Sequence, residues 1–166
     1  MTEPPDWVPG APDGDLAPGA IHVWLAHLDD VPGDPFVSAS VMSAEERARA
    51  RRFVFDRDRR RFSAARVLLR TLLARYVGAD PADLRFAIGP HGKPSLAGSP
   101  SAPDFNVSHS RDAAVIAISR AGEVGVDIEA IRPMDDGDGI ADRFFAPAEA
   151  GRLRAVPSEL RDQAFF

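Results

Sequence analysis

The spacing of apolar and polar residues changes period several times along the 166-residue chain. Ile21-His-Val-Trp-Leu-Ala26 alternates and is rich in β-formers, which predicts a strand. Ser43-Ala-Glu-Glu46 has the form of a capping box, with Ser43 able to cap free N–H groups and Glu46 able to reach back; a helix should follow to about Phe53. Asp58 is placed to cap a longer helix. Its Phe62, Ala65, Leu69, Leu72, Leu73 and Tyr76 fall at helical spacing, and Gly78 should end it. Residues 84–88 predict a strand, 89–103 a Gly/Pro/Ser loop, and 105–107 a short extended piece. The apolar stretches 113–119 and 124–129 read as two strands of a hairpin closed by Arg120-Ala-Gly-Glu123. Beyond a polar loop at 132–139, helices are predicted over 140–145, 147–156 and from Ser158 onward. The last of these reaches Phe165-Phe166, whose apolar surface calls for a partner.

The order strand, helix, helix recurs. Residues 21–26, the helix from Ser43 and the helix from Asp58 are echoed by 124–129, the helix from Ala146 and a helix near Asp162. Arg49 then aligns with Arg152, and Phe62 with Phe165. The echo predicts an α+β fold of two similar halves, 20–103 and 104–166, with the second half incomplete. Residues 1–19, rich in Pro, Gly and Asp, predict a disordered tail.

Composition narrows the function classes. An apolar content of 45% supports a real core, and a net charge of -5 argues against a general nucleic-acid binder. With no cysteine, disulfides, thiolate zinc sites and Cys nucleophiles are excluded. No signal-peptide pattern and no membrane-length apolar run occurs, so a cytoplasmic location without membrane partners is expected. Of the twenty basic residues, only Lys93 is lysine. Eleven of the nineteen arginines lie between Arg47 and Arg75; most suit a solvated helical face, while a few near helix starts could be ligands.

Three motifs could carry chemistry. In Val124-Gly-Val-Asp-Ile-Glu129 a strand would turn Val124, Val126 and Ile128 inward and set Asp127 and Glu129 side by side on the other face. Two such carboxylates need a cation, and Mg²⁺ takes few protein carboxylates, completing its shell with phosphate and water. An exposed strand face with scattered acids gives the same pattern. Phe105-Asn-Val-Ser-His-Ser110 offers donors for phosphate oxygens or makes an ordinary turn. Its Ser-His pair is a weak hydrolase signal, because strand neighbours point apart. His91-Gly92-Lys93-Pro94 combines close backbone approach with a point charge but lacks P-loop spacing. Glu149 suits the first turn of a helix.

Taken in order, the Ser-x-x-Glu helix ending in Arg-Arg-Phe, the Leu-rich helix, Gly-Lys-Pro, Phe-Asn-Val-Ser-His-Ser, Val-Gly-Val-Asp-Ile-Glu and Arg-Phe-Phe-x-x-x-Glu resemble the surfactin-synthetase-activating type of 4′-phosphopantetheinyl transferase. The resemblance covers about residues 20–166. It implies a pseudo-twofold α+β transferase that moves the phosphopantetheine arm of coenzyme A to a serine of an apo acyl or peptidyl carrier protein, with Mg²⁺ as cofactor. It also implies roles. Asp127 and Glu129 would be the catalytic, metal-holding carboxylates. His91, Gly92, Lys93 and Pro94 would border the adenine and phosphates, Asn106, Ser108 and His109 the nucleotide phosphates, and Arg49 the 3′-phosphate. The serine would attack the β-phosphorus and release adenosine 3′,5′-bisphosphate, its proton going to a carboxylate directly or through water. Three departures carry expectations. The family's Trp-x-x-Lys-Glu helix, with a third metal-ligating Glu, would follow Phe166, so weakened coenzyme A binding and impaired catalysis are expected, and a non-catalytic coenzyme A or carrier-binding fragment is the alternative. Ala146 stands where Ser or Thr is frequent, and Glu46 where a second basic phosphate ligand is frequent.

Overall fold

The computed structural model describes residues 7–8, 15–31, 40–98 and 102–166. Most of the expected tail, and residues 32–39, lie outside them. The chain forms two compact units, Met1–Asp127 and Ile128–Phe166; the halves expected from the sequence meet at 103/104 instead. The α+β class holds, with helices and antiparallel sheets in one chain.

The first unit is built on a three-stranded antiparallel sheet of order β1-β5-β4, where β1 is Ile21–His27, β4 is Asp104–Ser110 and β5 is Ala113–Ser119. Helix α1 spans Ala44–Ala50 and α2 spans Asp56–Val77; a small hairpin pairs β2 (Phe86–Ile88) with β3 (Pro94–Leu96). The β3 strand lies inside the stretch expected to be loop. β5 is apolar at nearly every position and buried from Ala114 to Ser119, as befits a central strand flanked on both sides.

α2 covers one face of the sheet. Leu69, Leu72, Leu73 and Tyr76 pack on Phe105, Ile116 and Ile118, with Trp24 and Val107 at the margin. Leu16, within the stretch expected as tail, is buried in this core. The Tyr76 hydroxyl accepts from Trp24 Nε1 at 3.0 Å and bonds His22 Nδ1 at 2.7 Å, so the buried Tyr76 ring and the half-buried Trp24 and His22 rings satisfy one another's polar groups. Burial pushes the Tyr76 phenol up, with the Trp24 hydrogen bond opposing it. Gly78 closes α2 in the left-handed conformation (φ 65°), as the sequence predicts. The start of α2 differs: Phe55 is the cap residue, its carbonyl accepting from Arg59 N–H, and Asp58 sits inside the first turn. There its charge still favours the helix dipole.

The expected hairpin between 113–119 and 124–129 does not form. Both edges of β5 are already occupied, by β1 and by β4, leaving no free ladder for a third partner. β4 joins β5 through the two-residue turn Arg111-Asp112 instead.

The second unit holds α3 (Gly137–Phe144), α4 (Pro147–Ala155) and the short α5 (Arg161–Phe165). Its core is Ala141, Ala150 and Leu153, flanked by Phe145 and Phe165, whose rings stack at 5.3 Å. No helix among the described residues is long and apolar enough to cross a membrane.

Candidate functional site

β4 extends past the predicted 105–107 to Ser110, so the whole Asn-Val-Ser-His segment lies within a strand. Its alternation divides the motif between two faces. Phe105, Val107 and His109 share the face toward α2; Asp104, Asn106 and Ser108 share the other. The second set acts as a side-chain ladder. Asp104 Oδ2 accepts from Val124 N–H at 2.7 Å, Asn106 Oδ1 accepts from Val126 N–H at 3.1 Å, and Ser108 Oγ donates to Asp127 Oδ1 at 2.5 Å. Residues 124–127 are thus held without joining the sheet. Val124 and Val126 are half-buried, whereas Gly125 and Asp127 are exposed. Lys93 closes the ladder's end, its Nζ donating to Asp104 Oδ2 at 2.5 Å and to the Val124 carbonyl at 3.1 Å.

The α2-side face borders two adjoining cavities of about 610 and 420 Å³. Arg49, Phe62, Arg66 and Pro94 line both. The larger reaches Gly92 and Phe86; the smaller reaches Val107, His109 and Arg111. Arg49 lies over the Phe62 ring at 5.1 Å. The α2 arginines here are committed elsewhere. Arg61 makes a bidentate pair with Asp29, and Arg66 Nε donates to Glu46 Oε1 at 2.6 Å while its guanidinium lies over Phe86 at 5.0 Å. Arg70, only 2% exposed, bonds Glu46 Oε2 at 2.7 Å and the carbonyls of Pro81 and Leu84. Burial pushes the Glu46 carboxyl up, but the Ser43 N–H, Arg66 and Arg70 outweigh it and hold the group below its ordinary range. Asp29 is likewise lowered, chiefly by its hydrogen bond to Arg61.

The family model described as "4′-phosphopantetheinyl transferase, N-terminal" matches residues 34–121, more than half of the chain. Over 162 residues the chain is 37% identical to 4′-phosphopantetheinyl transferase HetI of Nostoc sp. strain PCC 7120, covering 96% of this chain and 68% of HetI. The chain belongs to the 4′-phosphopantetheinyl transferase family. Further relatives include psf-1 of Bacillus pumilus, 39% identical over 80% of this chain and 53% of psf-1, and Sfp of Bacillus subtilis strain 168, 33% identical over 76% and 55%. The chain therefore spans between about half and two thirds of the length of these relatives.

Within this chain, the residues singled out in the sequence fall into separate groups. Arg49, Gly92, Pro94 and His109 border the cavities. Lys93, Asn106 and Ser108 are bonded into the ladder that carries Asp127. His91 is exposed in the β2–β3 turn, and Glu129 is exposed at the start of the second unit. Among the described residues no cluster of three or more His, Asp or Glu stands ready for a metal. Asp127 and Glu129 are hard oxygen donors of the kind Mg²⁺ accepts when phosphate and water fill the remaining positions. Sequence reasoning missed Asp104, Arg66 and Arg111. Asp104 and Arg111 flank the motif, and a strand read from 104 to 110 would have exposed both, one as the next alternate position and the other as the turn.

Proposed function

We propose that this chain serves the transfer of the 4′-phosphopantetheine group from coenzyme A to a serine of an acyl or peptidyl carrier protein. The observation that carries the reading is the division of labour across β4: a basic, ring-lined groove on one face, and a carboxylate held by side-chain hydrogen bonds on the other. The similarity to HetI and Sfp, both 4′-phosphopantetheinyl transferases, supports the same reaction. In the reaction, the serine oxygen forms a bond to the β-phosphorus of coenzyme A while the bond from that phosphorus to the bridging oxygen breaks. Adenosine 3′,5′-bisphosphate departs with the electron pair. Arg49 and His109 would bind phosphate, Gly92 and Pro94 would border the nucleotide, and His91 would lie at its rim. Lys93, Asn106 and Ser108 act by fixing the segment that presents Asp127. Mg²⁺, held by the carboxylates of Asp127 and Glu129, would supply charge neutralisation at the pyrophosphate. A carboxylate would take the serine proton, directly or through water.

The test is to incubate the chain with coenzyme A, Mg²⁺ and an apo carrier protein, following nucleotide binding by calorimetry and loading by intact mass. Mg²⁺-dependent loading supports transfer. Binding without loading assigns the chain a coenzyme A-binding role alone. Absence of both contradicts the reading.

A further inference from the structure

Among the described residues, one non-glycine has a positive φ: Arg111, at 56°. It occupies the first position of the two-residue turn between β4 and β5, whose last pair is Ser110 with Ala113. An L side chain in this left-handed region is disfavoured, and Gly, Asn or Asp is the usual occupant of such turns. The turn itself does not call for arginine. It is tied down through the backbone, where Leu28 N–H donates to the Asp112 carbonyl at 2.6 Å. An unfavourable residue retained in a well-anchored turn points to what its side chain does.

That side chain lines the smaller cavity with Arg49 and His109. Cations on the helical wall are spoken for: Arg61 by Asp29 and Arg66 by Glu46. The carboxylate lining this cavity, Asp58, lies 3.4 Å from Arg57. Among the described residues, no carboxylate pairs with Arg49, His109 or Arg111. Three basic groups on different elements (α1, β4 and the turn) therefore converge on one cavity without neutralisation. A phosphomonoester dianion suits such a site, because it can accept several charge-assisted hydrogen bonds at once.

We propose that Arg111 is a further ligand of the 3′-phosphate of coenzyme A, joining Arg49 and His109 from the β4–β5 turn, and that it sets the preference for coenzyme A over 3′-dephospho-coenzyme A. The proposal rests on the coenzyme A reading above. Its test is calorimetric titration of both nucleotides, at one fixed ionic strength, into the chain and its Arg111→Gly variant. The wild-type chain is expected to favour coenzyme A. In Arg111→Gly, coenzyme A binding should weaken about tenfold, the loss of one charge-assisted contact, while dephospho-coenzyme A binding stays unchanged. Glycine fits φ 56°, so the variant's Tm should not fall, which separates lost binding from lost folding. An unchanged preference in Arg111→Gly overturns the role of Arg111. A wild-type chain that binds both nucleotides equally also overturns it, by removing the phosphate subsite. A wild-type chain that binds neither contradicts the coenzyme A reading itself.

Discussion

Helices α1 and α4 begin alike in sequence, with a cap position followed three residues later by Glu, and they are held very differently. At α1 the box is complete: Ser43 Oγ accepts from Glu46 N–H at 3.1 Å, and Glu46 Oε2 accepts from Ser43 N–H at 2.8 Å. At α4 only the return bond exists, Ala146 N–H donating to Glu149 Oε2 at 3.0 Å. With no hydroxyl on Ala146, the Glu149 N–H closes onto the Ala146 carbonyl at 2.9 Å. The second difference is tertiary. Glu46 also receives Arg66 and the buried Arg70, which binds α1 to α2 and α2 to the carbonyls before β2. No salt bridge reaches Glu149 among the described residues; its helix depends on the small core around Ala150 and Leu153. One N-terminal Glu thus serves as a structural hub and the other as a local cap. The comparison also explains why a carboxylate is stable at the groove's edge: Glu46 is there to hold arginines in place.

Glu46→Ala should widen the contrast most. It strands Arg70, and breaking such a buried pair costs about 3 kcal/mol or more. Glu149→Ala should cost under about 1 kcal/mol, the scale of a single cap contact. Chemical denaturation of the two variants gives both numbers, and equal losses would erase the distinction. Because the Glu46 pKa is lowered by folding, its stabilisation is present above the unfolded value of about 4.3 and is lost as pH falls through the folded value. A pH series of Tm should therefore show an acid decline that is blunted in Glu46→Gln. Smaller effects come from exchanging the caps: Ser43→Ala should destabilise by about 1 kcal/mol and Ala146→Ser should stabilise by a similar amount. Amide exchange in the first turns of α1 and α4 would register each. A gain of the same order is expected from Arg111→Gly, which should raise Tm by about 2–4 °C, on the basis of roughly 1 kcal/mol of relieved backbone strain.

The parts legible in the sequence are those set by local patterns. The capping box at Ser43, the apolar stripe of α2 and its Gly78 end are all as read. The exposure of Asp127 and Glu129 between half-buried apolar neighbours follows from simple alternation. What escaped reading is set by competition between distant segments. Arg120-Ala-Gly-Glu123 carries a valid turn signal, yet 124–127 cannot pair with β5 once β1 and β4 have taken its edges. Burial of Arg70 could not be read either, since an arginine within an Arg-rich helix looks like surface until Glu46 and two carbonyls are seen to enclose it. In the site, the residue types were legible but their partners were not. Asn106 and Ser108 read as phosphate donors, and the fold uses them to hold 124–127.

The most direct test of the account is whether Asp127 couples Mg²⁺ to coenzyme A. Coenzyme A is titrated into the wild-type chain and into Asp127→Ala, each with and without Mg²⁺. The expected result is that Mg²⁺ tightens binding to the wild-type chain and has no effect on Asp127→Ala, while Mg²⁺-free binding is similar in both. A Mg²⁺ effect of equal size in the two proteins would contradict the placement of Asp127 at the metal.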